Sequence, residues 1–321
     1  MRPRPPAPPA LALPRRFRRP RLLIVGCGDV GQRVLTLLAG RWSVRALTSS
    51  AERLPALRAA GAVPLIGDLD RAPTLRRLAG LASRVLHLAP PPTHRDDGRD
   101  PRTAALLQAL SRHDTTRRLV YGSTSGVYGD AQGRLIDETW GPRALTARAR
   151  RRVDAERAIA RWVRRQAARA AEPARSALLL RIPGIYALDR EGGNPLERLR
   201  RGTPLLEAQD DVHTNHIQAD DLARACFIAL LRGPGGARAI NVNDDSDMKM
   251  GDYFDLAARL AGLAPAPRIS RAEATQRLGP MQLSFMSESR RMDNSRMKRE
   301  LRLSLRHPTV ASGLADLQRG D

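Results

Sequence analysis

Short apolar runs alternate along this chain with longer stretches in which apolar residues recur every three or four positions. Runs bounded by glycine, proline or polar residues indicate buried strands, and the longer periodic stretches indicate helices. Strands are predicted at 21–25, 42–48, 62–66, 84–89, 118–122, 178–182 and 239–242. Helices are predicted at 54–60, 103–111, 146–171 and 219–231, with another directly after residue 28. Because strands and helices alternate, we expect an α/β fold with a doubly wound parallel sheet and right-handed crossovers.

The first predicted strand runs directly into a glycine cluster. The pattern G-x-G-x-x-G is formed by Gly26, Cys27, Gly28, Asp29, Val30 and Gly31. In this pattern the first glycine permits a sharp turn, the second lets backbone approach a diphosphate, and the third lets the helix pack closely on the strand. Free N–H groups at the start of the helix then bind the phosphates. These six residues therefore predict a Rossmann-type dinucleotide site, the alternative being a plain tight turn.

The end of the second predicted strand bears on which dinucleotide binds. An acid about 20 residues after the glycine motif would bind the ribose 2′-hydroxyl of NAD. Here that place holds Thr48 and Ser49, with Arg53 soon after. Small hydroxyls beside an arginine can accept a 2′-phosphate, so NADP is favoured over NAD. The alternative is that the arginine is only a surface charge.

Other predicted strands end at the same edge of the sheet, where doubly wound folds bind their ligands. The residues expected there to contact the dinucleotide are Asp68, Leu69, Leu88, Ala89, Pro90 and Ser123. Asp68 has an alternative role, which is to cap the helix that follows. These strand ends are expected to converge on one cleft.

Charge and composition change this interpretation little. The formal net charge of the 321 residues is +22, but Lys249 and Lys298 are the only lysines. The excess of arginine indicates a general compositional bias, so it is weak support for a specific nucleic-acid partner. The core must be aliphatic, because 42% of the residues are apolar and only 3% aromatic.

The cysteines and the hydropathy restrict the location and the partners. Cys27 and Cys226 are too few for a disulfide framework, and no spacing typical of a metal site is present. We therefore expect a cytoplasmic protein without a metal. No stretch approaches the roughly 20 apolar residues that cross a membrane. A small-molecule substrate is expected, with no membrane and no specific nucleic acid, and a homodimer stays open.

Five later segments resemble, in order, the short-chain dehydrogenase/reductase superfamily. They are Tyr121–Asp130, Leu180–Tyr186, Asn215–Leu222, Ile240–Asn243 and Ser289–Asn294, the last followed by Lys298. The resemblance is to the extended or atypical NAD(P)-dependent epimerase/dehydratase branch, and it covers about residues 21–317. It implies a nicotinamide cofactor and hydride transfer at a hydroxyl or carbonyl carbon of a sugar or similar metabolite.

The resemblance also implies a division of the chain. Residues 1–20, rich in proline and arginine, are expected to be a disordered tail. Residues 21–186 would be the NAD(P)-binding Rossmann domain. Residues 187–321 would mainly form a smaller substrate-binding lobe, from which 216–243 return to the sheet.

By the same resemblance, individual residues acquire roles. Thr124, with Ser125 close by, would be the hydroxyl that binds the reacting oxygen, and Pro183 would open the loop over the nicotinamide. Asn215 lies in the segment that links the two lobes. Arg290 and Arg291, helped by Asn294 and Lys298, are expected to hold an anionic substrate, since arginine binds phosphate oxygens bidentately.

One element of the family pattern is missing. The family uses a tyrosine, four residues before a lysine, to exchange the proton, and counting back from Glu156 puts Arg148 and Arg152 at these positions. Arginine stays protonated, so Arg148 cannot exchange a proton, whereas Arg152 can hold a ribose or phosphate. Tyr128 is the expected substitute.

The missing pair leaves several alternatives open. Other candidates for proton exchange are Tyr186, Asp130 and Asp137. The chemistry can also be of a kind that needs no such pair. From a different functional class, the chain can be a catalytically silent dinucleotide-binding regulatory or assembly module, and an arginine-rich nucleic-acid binder is a third hypothesis.

Overall fold

The computed structural model describes residues 19–93, 97–167 and 174–319. Almost all of the predicted tail, and the end of the predicted helix 146–171, lie outside the described residues. The strands are β1 Arg21–Val25, β2 Ser43–Thr48, β3 Val63–Ile66, β4 Arg84–His87, β5 Arg118–Thr124, β6 Leu135–Ile136, β7 Ser176–Ile182, β8 Gly184–Tyr186, β9 Leu205–Leu206, β10 His213–Thr214, β11 His216–Gln218, β12 Gly236–Asn241, β13 Met248–Lys249, β14 Arg268–Ile269 and β15 Arg291–Met292. The helices are α1 Asp29–Leu38, α2 Leu54–Ala59, α3 Pro101–Leu110, α4 Ala147–Ala167, α5 Pro195–Arg200, α6 Ala219–Leu231, α7 Met250–Leu260, α8 Arg271–Arg277, α9 Pro280–Met286 and α10 Val310–Gly313.

Seven of these strands form one parallel sheet in the order β3-β2-β1-β4-β5-β7-β12. The chain enters at β1, moves outward through β2 and β3, and continues on the other side of β1 with β4. Val25 pairs with Leu47 on one side and with His87 on the other, so these strands end at nearly the same level. The order reverses between β1 and β4, where doubly wound folds bind ligands. The predicted Rossmann-type sheet is confirmed.

Two strands end two residues away from their predicted ends. β5 continues beyond its predicted end to Thr124, because that residue still pairs with Ile182 of β7. β4 ends early, at His87, because the N–H of Ala89 turns to the carbonyl of Val25, at 3.0 Å, which already accepts the ladder bond from Leu88. Both differences reflect pairing with a neighbouring strand, which local periodicity does not contain.

Helices cover both faces of the sheet. In β1, Leu22 and Ile24 point to the face covered by α1 and α6, and Leu23 and Val25 point to the face covered by α3 and α4. This alternation follows from the two-residue period of a strand. Because both faces bury apolar side chains, the strand reads as a continuous apolar run.

A second lobe has its own apolar cluster. Leu199 of α5, Phe254 of α7 and Met286 at the end of α9 are buried together in it. The chain leaves the sheet after β7, builds α5, returns as α6 and β12, and leaves again. β8 and β11 pair in parallel between these segments, with Ile185 opposite Ile217. Among the helices that the structure describes, none is both long and apolar enough to cross a membrane.

Candidate functional site

The glycine turn between β1 and α1 has a different steric requirement at each of its glycines. Gly26 has a φ of +84°, and a Cβ there would lie 2.3 Å from the backbone nitrogen of Ala89. A Cβ on Gly31 would lie 3.2 Å from Sγ of Cys27. A Cβ on Gly28, which is exposed, would meet no atom within 4 Å. The turn is therefore closed on the protein side and open where a ligand's phosphates would rest.

The start of α1 can bind an anion at this opening. The first N–H groups of a helix have no intrahelical partner, and Gly28, the residue before α1, provides no side-chain cap. The positive end of the helix dipole adds to the attraction. Burial raises the pKa of the adjacent Cys27 thiol to about 11, so this side chain brings no negative charge. The opening therefore fits a dinucleotide diphosphate.

The end of β2 lies beside the glycine turn. Thr48 is buried and its Oγ1 accepts the N–H of Ser50 at 3.2 Å, so its hydroxyl holds the local backbone. Ser49 is exposed. The guanidinium of Arg53 donates to the carbonyl of Cys27, which fixes this cation next to the turn. The cation of Arg53 and the exposed hydroxyl of Ser49 therefore both lie at the end of β2 beside the glycine turn.

The ends of β3 and β4 border the same edge. Leu88 and Ala89 both donate their N–H groups to the carbonyl of Val25, at 2.8 and 3.0 Å, which holds them against the glycine turn. Oδ1 of Asp68 accepts the N–H of Asp70 at 2.9 Å. The alternative role of Asp68 as a helix cap is therefore wrong, because Arg71 is the residue that precedes the following helical turn. Leu69 is half-buried and Pro90 is exposed at this edge.

A cavity of about 550 Å³ lies between the carboxyl edge of the sheet and the second lobe. From the predicted site it is lined by Thr124, Ser125, Arg148, Arg152, Pro183, Tyr186, Asn215 and Arg290. Oγ1 of Thr124 accepts the N–H of Gly126 at 3.3 Å, which leaves its own O–H free to donate. The two hydroxyls at the end of β5 therefore face the same space as the loop that begins at Pro183.

Ser123 lies outside this cavity, and its buried hydroxyl is bound inside the fold, which corrects its assignment as a cofactor contact. Its Oγ donates to Oε1 of Glu156 at 2.5 Å, and both residues are buried. Glu156 also forms a buried ion pair with Arg181 at 2.8 Å. Alternation along β5 explains the difference, because Ser123 points to the opposite face from Thr124.

Tyr128 also lies outside the cavity, which corrects its expected role in proton exchange. Its side chain is fully buried, and its hydroxyl donates to Oδ1 of Asn241 at 2.6 Å. Burial raises the pKa of Tyr128 to about 12. Asp130 and Asp137 are exposed and do not line the cavity either.

Arg148 and Arg152 occupy the two places for which a tyrosine and a lysine were expected. Both line the cavity. Arg152 donates through Nη1 to the carbonyl of Gly122 at 2.6 Å and to the hydroxyl of Tyr121 at 3.2 Å. The guanidinium of Arg148 lies 4.8 Å from the ring centre of Phe285 in α9. The register predicted for α4 thus places two cations at the cavity wall.

The fold separates the residues that were predicted to hold an anionic substrate. Arg290 lines the cavity and donates through Nη1 to Glu288 at 2.7 Å. Arg291 points elsewhere, because it donates to the carbonyl of Gly133 at 2.8 Å and pairs with Asp247 at 3.0 Å. Its assignment to the substrate site is therefore wrong. Lys298 and Asn294 do not line the cavity, and both contact Asp245.

Three further arginines line the cavity that the sequence did not predict there. They are Arg190, Arg198 and Arg201. In a chain with 55 lysines and arginines, nothing in their spacing distinguishes them from surface charges. The opposing acids at the cavity are Glu197 and Glu288. Six arginines therefore face two carboxylates, and the cavity favours an anionic ligand.

The far wall of the cavity is aromatic and buried. His216 stacks on Tyr253 with ring centres 4.1 Å apart, and the edge of Tyr186 faces both rings. Burial lowers the pKa of His216 to about 3, so its imidazole stays neutral. The buried carboxyl of Asp244 lies behind Tyr186, and burial raises its pKa to about 7. Among the described residues, no group of histidine, cysteine and acidic side chains could hold a metal ion.

Comparisons with known proteins agree with this geometry. Residues 26–169 match a protein-family model described as NAD(P)H-binding. The chain is 30% identical to a functionally unknown conserved protein from Silicibacter pomeroyi, with 94% of this chain and 98% of that chain covered and a TM-score of 0.75. No curated protein matches the chain in sequence.

Two more distant structures share the fold. One is the UDP-glucose 4-epimerase of Thermotoga maritima, solved with UDP-glucose, at 17% identity, 93% and 97% coverage and a TM-score of 0.73. The other is MoeE5 in complex with UDP-glucose and NAD, at 21% identity, 93% and 98% coverage and a TM-score of 0.70. At such identities the likeness concerns the fold alone.

Proposed function

Because this chain belongs to the short-chain dehydrogenase/reductase superfamily, in its epimerase/dehydratase-like branch, we propose that it is an NAD(P)-dependent oxidoreductase or epimerase/dehydratase. Its substrate would be an anionic, sugar-like or other metabolite with a reacting hydroxyl or carbonyl group. The observation that carries the proposal is the single cavity that joins Thr124, Ser125 and Pro183 to a wall of arginines.

The residues around the cavity would have different roles in the reaction. A bound nicotinamide would exchange a hydride with the carbon that carries the reacting oxygen. The hydroxyls of Thr124 and Ser125 would orient that oxygen. The cations of Arg148 and Arg152 would stabilise negative charge that develops on it, as fixed positive groups do in a site shielded from water.

Proton exchange would then fall to a group other than tyrosine, because Tyr128 lies outside the cavity and burial raises the pKa of Tyr186 far above its usual range. His213 and Glu288 line the same cavity, and an imidazole or a carboxyl group can exchange a proton with a hydroxyl. Of these two, the residue that acts should be the one whose replacement by glutamine flattens the pH dependence of kcat. If both variants keep the wild-type pH profile, this part of the proposal fails.

We favour NADP over NAD as the cofactor. Arg53 is fixed beside the glycine turn, and Ser49 offers an exposed hydroxyl next to it. Losing one charge-assisted hydrogen bond to a 2′-phosphate would weaken binding by about tenfold or more. Arg53→Ala should therefore raise the Kd for NADPH much more than that for NADH. Arg58→Ala, which changes an exposed arginine in α2, is the control and should alter neither.

Cofactor binding itself is tested at Gly28. NADPH fluorescence should increase when it binds the wild-type chain, and Gly28→Asp should abolish the increase by placing a negative side chain against the diphosphate. Gly141→Asp is the matched control, because Gly141 is also exposed and a Cβ there would likewise meet no atom within 4 Å. Undetectable binding of NADPH and NADH to the wild type would refute the proposal.

Turnover separates the enzyme from the alternative hypothesis. Incubation with NADPH and a panel of nucleotide sugars, phosphorylated sugars and anionic ketones should oxidise the cofactor with at least one member. If the cofactor binds but no member of the panel reacts, a catalytically silent regulatory or assembly module becomes the better description. The arginines at the tyrosine and lysine positions are the observation that favours this second candidate.

A further inference from the structure

A negative side chain sits at the opening that would bind the cofactor's diphosphate. Asp29 is the first residue of α1, and about a third of its side chain is exposed. A carboxylate at this place would repel a diphosphate unless a cation neutralised it. Two arginines pair with it: Arg33, at 3.1 Å, and Arg190. Arg33 belongs to α1 itself, whereas Arg190 comes from the other lobe.

Arg190 lies in the segment 187–194, which joins β8 to α5 and which we call the 187–194 loop. This loop is attached to α1 by two ion pairs of opposite polarity. Asp189 of the loop accepts from Arg33 at 2.7 Å, and Arg190 of the loop donates to Asp29. Arg33 also pairs with Asp220, at the start of α6, at 2.7 Å. The loop therefore spans from the second lobe to the start of α1.

The backbone of the loop directs Arg190 toward α1. The N–H of Gly193 donates to the carbonyl of Arg190 at 3.0 Å, which closes a tight turn. The stem of Arg190 lies across Gly193, where a Cβ would come within 2.5 Å of its Cδ. A residue larger than glycine would displace that stem. The position of the guanidinium is thus built into the loop.

Arg190 also lines the cavity assigned to the substrate. It therefore stands at the boundary between that cavity and the glycine turn. Its pairing with Asp29 uses Nη1, and a guanidinium carries five N–H donors in a planar fork that suits phosphate oxygens.

We propose that Arg190 binds the diphosphate of the dinucleotide directly, and that the 187–194 loop closes over the cofactor through this contact. Asp29 holds the guanidinium at the opening. When the diphosphate binds the first N–H groups of α1, it becomes the principal anion that Arg190 faces. The proposal rests on cofactor binding and is independent of whether the chain catalyses a reaction.

The first experiment measures Kd for NADPH and for ADP-ribose, which has the diphosphate but no nicotinamide. Arg190→Met should weaken both ligands equally, by about tenfold or more. Arg200→Met, an exposed arginine at the end of α5, is the control and should bind both as the wild type does. Circular dichroism and thermal unfolding establish that each variant is folded. An Arg190→Met affinity within about twofold of the wild type would overturn the proposal.

A double variant distinguishes direct contact from simple neutralisation of Asp29. If Arg190 only neutralises Asp29, then Asp29→Asn combined with Arg190→Met restores wild-type affinity, and the proposal is wrong. If Arg190 contacts the diphosphate, the double variant recovers at most the part of the loss that is due to the Asp29 charge, and it stays weaker than the wild type. This comparison also keeps its meaning if one single variant is less stable.

Hydrogen exchange provides a readout of loop closure. Amides of 187–194 in the wild type should exchange more slowly with NADPH bound, and this protection should disappear in Arg190→Met at saturating NADPH. Unchanged exchange in the wild type would overturn closure of the loop. If the wild type binds neither NADPH nor ADP-ribose, the proposed function fails instead, so the two failures are distinguishable.

Discussion

The buried carboxyl of Asp244 makes the stability of the fold depend on pH. It lies just after β12, behind the aromatic wall of the cavity, and is only 2% exposed. Its Oδ1 accepts the N–H of Ser246 at 3.0 Å, and Tyr186 also contacts it. Burial outweighs these hydrogen bonds and raises the pKa of Asp244 from about 3.8 to about 7. The folded chain therefore favours the neutral acid.

The size and the sign of the effect follow from this difference. A difference of one unit between the folded and unfolded pKa corresponds to about 1.4 kcal/mol. An ionised Asp244 therefore costs the folded state about 4 kcal/mol relative to the unfolded state. The cost is absent below the unfolded pKa. It grows as the pH rises above that value and is complete once the pH has passed the folded pKa, near 7. The folded chain is therefore destabilised by this group as the pH rises.

Asp244→Asn tests this reasoning, because asparagine resembles the protonated acid. We expect the free energy of unfolding of the variant to exceed that of the wild type by an amount that increases with pH. This difference, the gap between the two proteins, should widen by about 3 kcal/mol between about pH 5 and about pH 8.5. Urea unfolding at both pH values measures the gap, and other titrating groups cancel in the comparison. Asp247→Asn, which changes an exposed carboxyl nearby, should show no such trend. A gap for Asp244→Asn that is the same at both pH values would refute the argument.

Two further predictions concern the sheet and its glycine turn. Gly26→Ala should destabilise the chain more than Gly40→Ala, because both glycines have a positive φ but only the first has a neighbour, Ala89, within 4 Å of a Cβ. The excess should be about 1–3 kcal/mol in urea unfolding, the cost of overpacking, and equal losses would contradict the role given to Gly26. Glu156→Gln should cost about 3–5 kcal/mol, because it leaves the buried cation of Arg181 uncompensated. Adding Arg181→Met should recover part of this loss in the same assay, and a single-variant loss below about 1 kcal/mol would count against a tight buried pair.

Much of the cofactor half could be predicted from local sequence. The apolar runs predicted the strands of the sheet, and the spacing of Gly26, Gly28 and Gly31 predicted a turn that the structure leaves open only at Gly28. The register of α4 placed Arg148 and Arg152 at the cavity wall, where the structure has them. These features depend on residues a few positions apart, so a pattern in the sequence contains the information.

The tertiary structure alone decided which polar side chains share the cavity. Tyr128 follows directly on β5, yet its hydroxyl is taken by Asn241, 113 residues further along the chain. Arg190 carried no signal in an arginine-rich sequence, yet it pairs with Asp29, 161 residues before it. The direction of a loop side chain is set by partners that only folding brings together. Local periodicity therefore determined the sheet and the glycine turn, whereas long-range contacts determined the chemistry that the cavity presents.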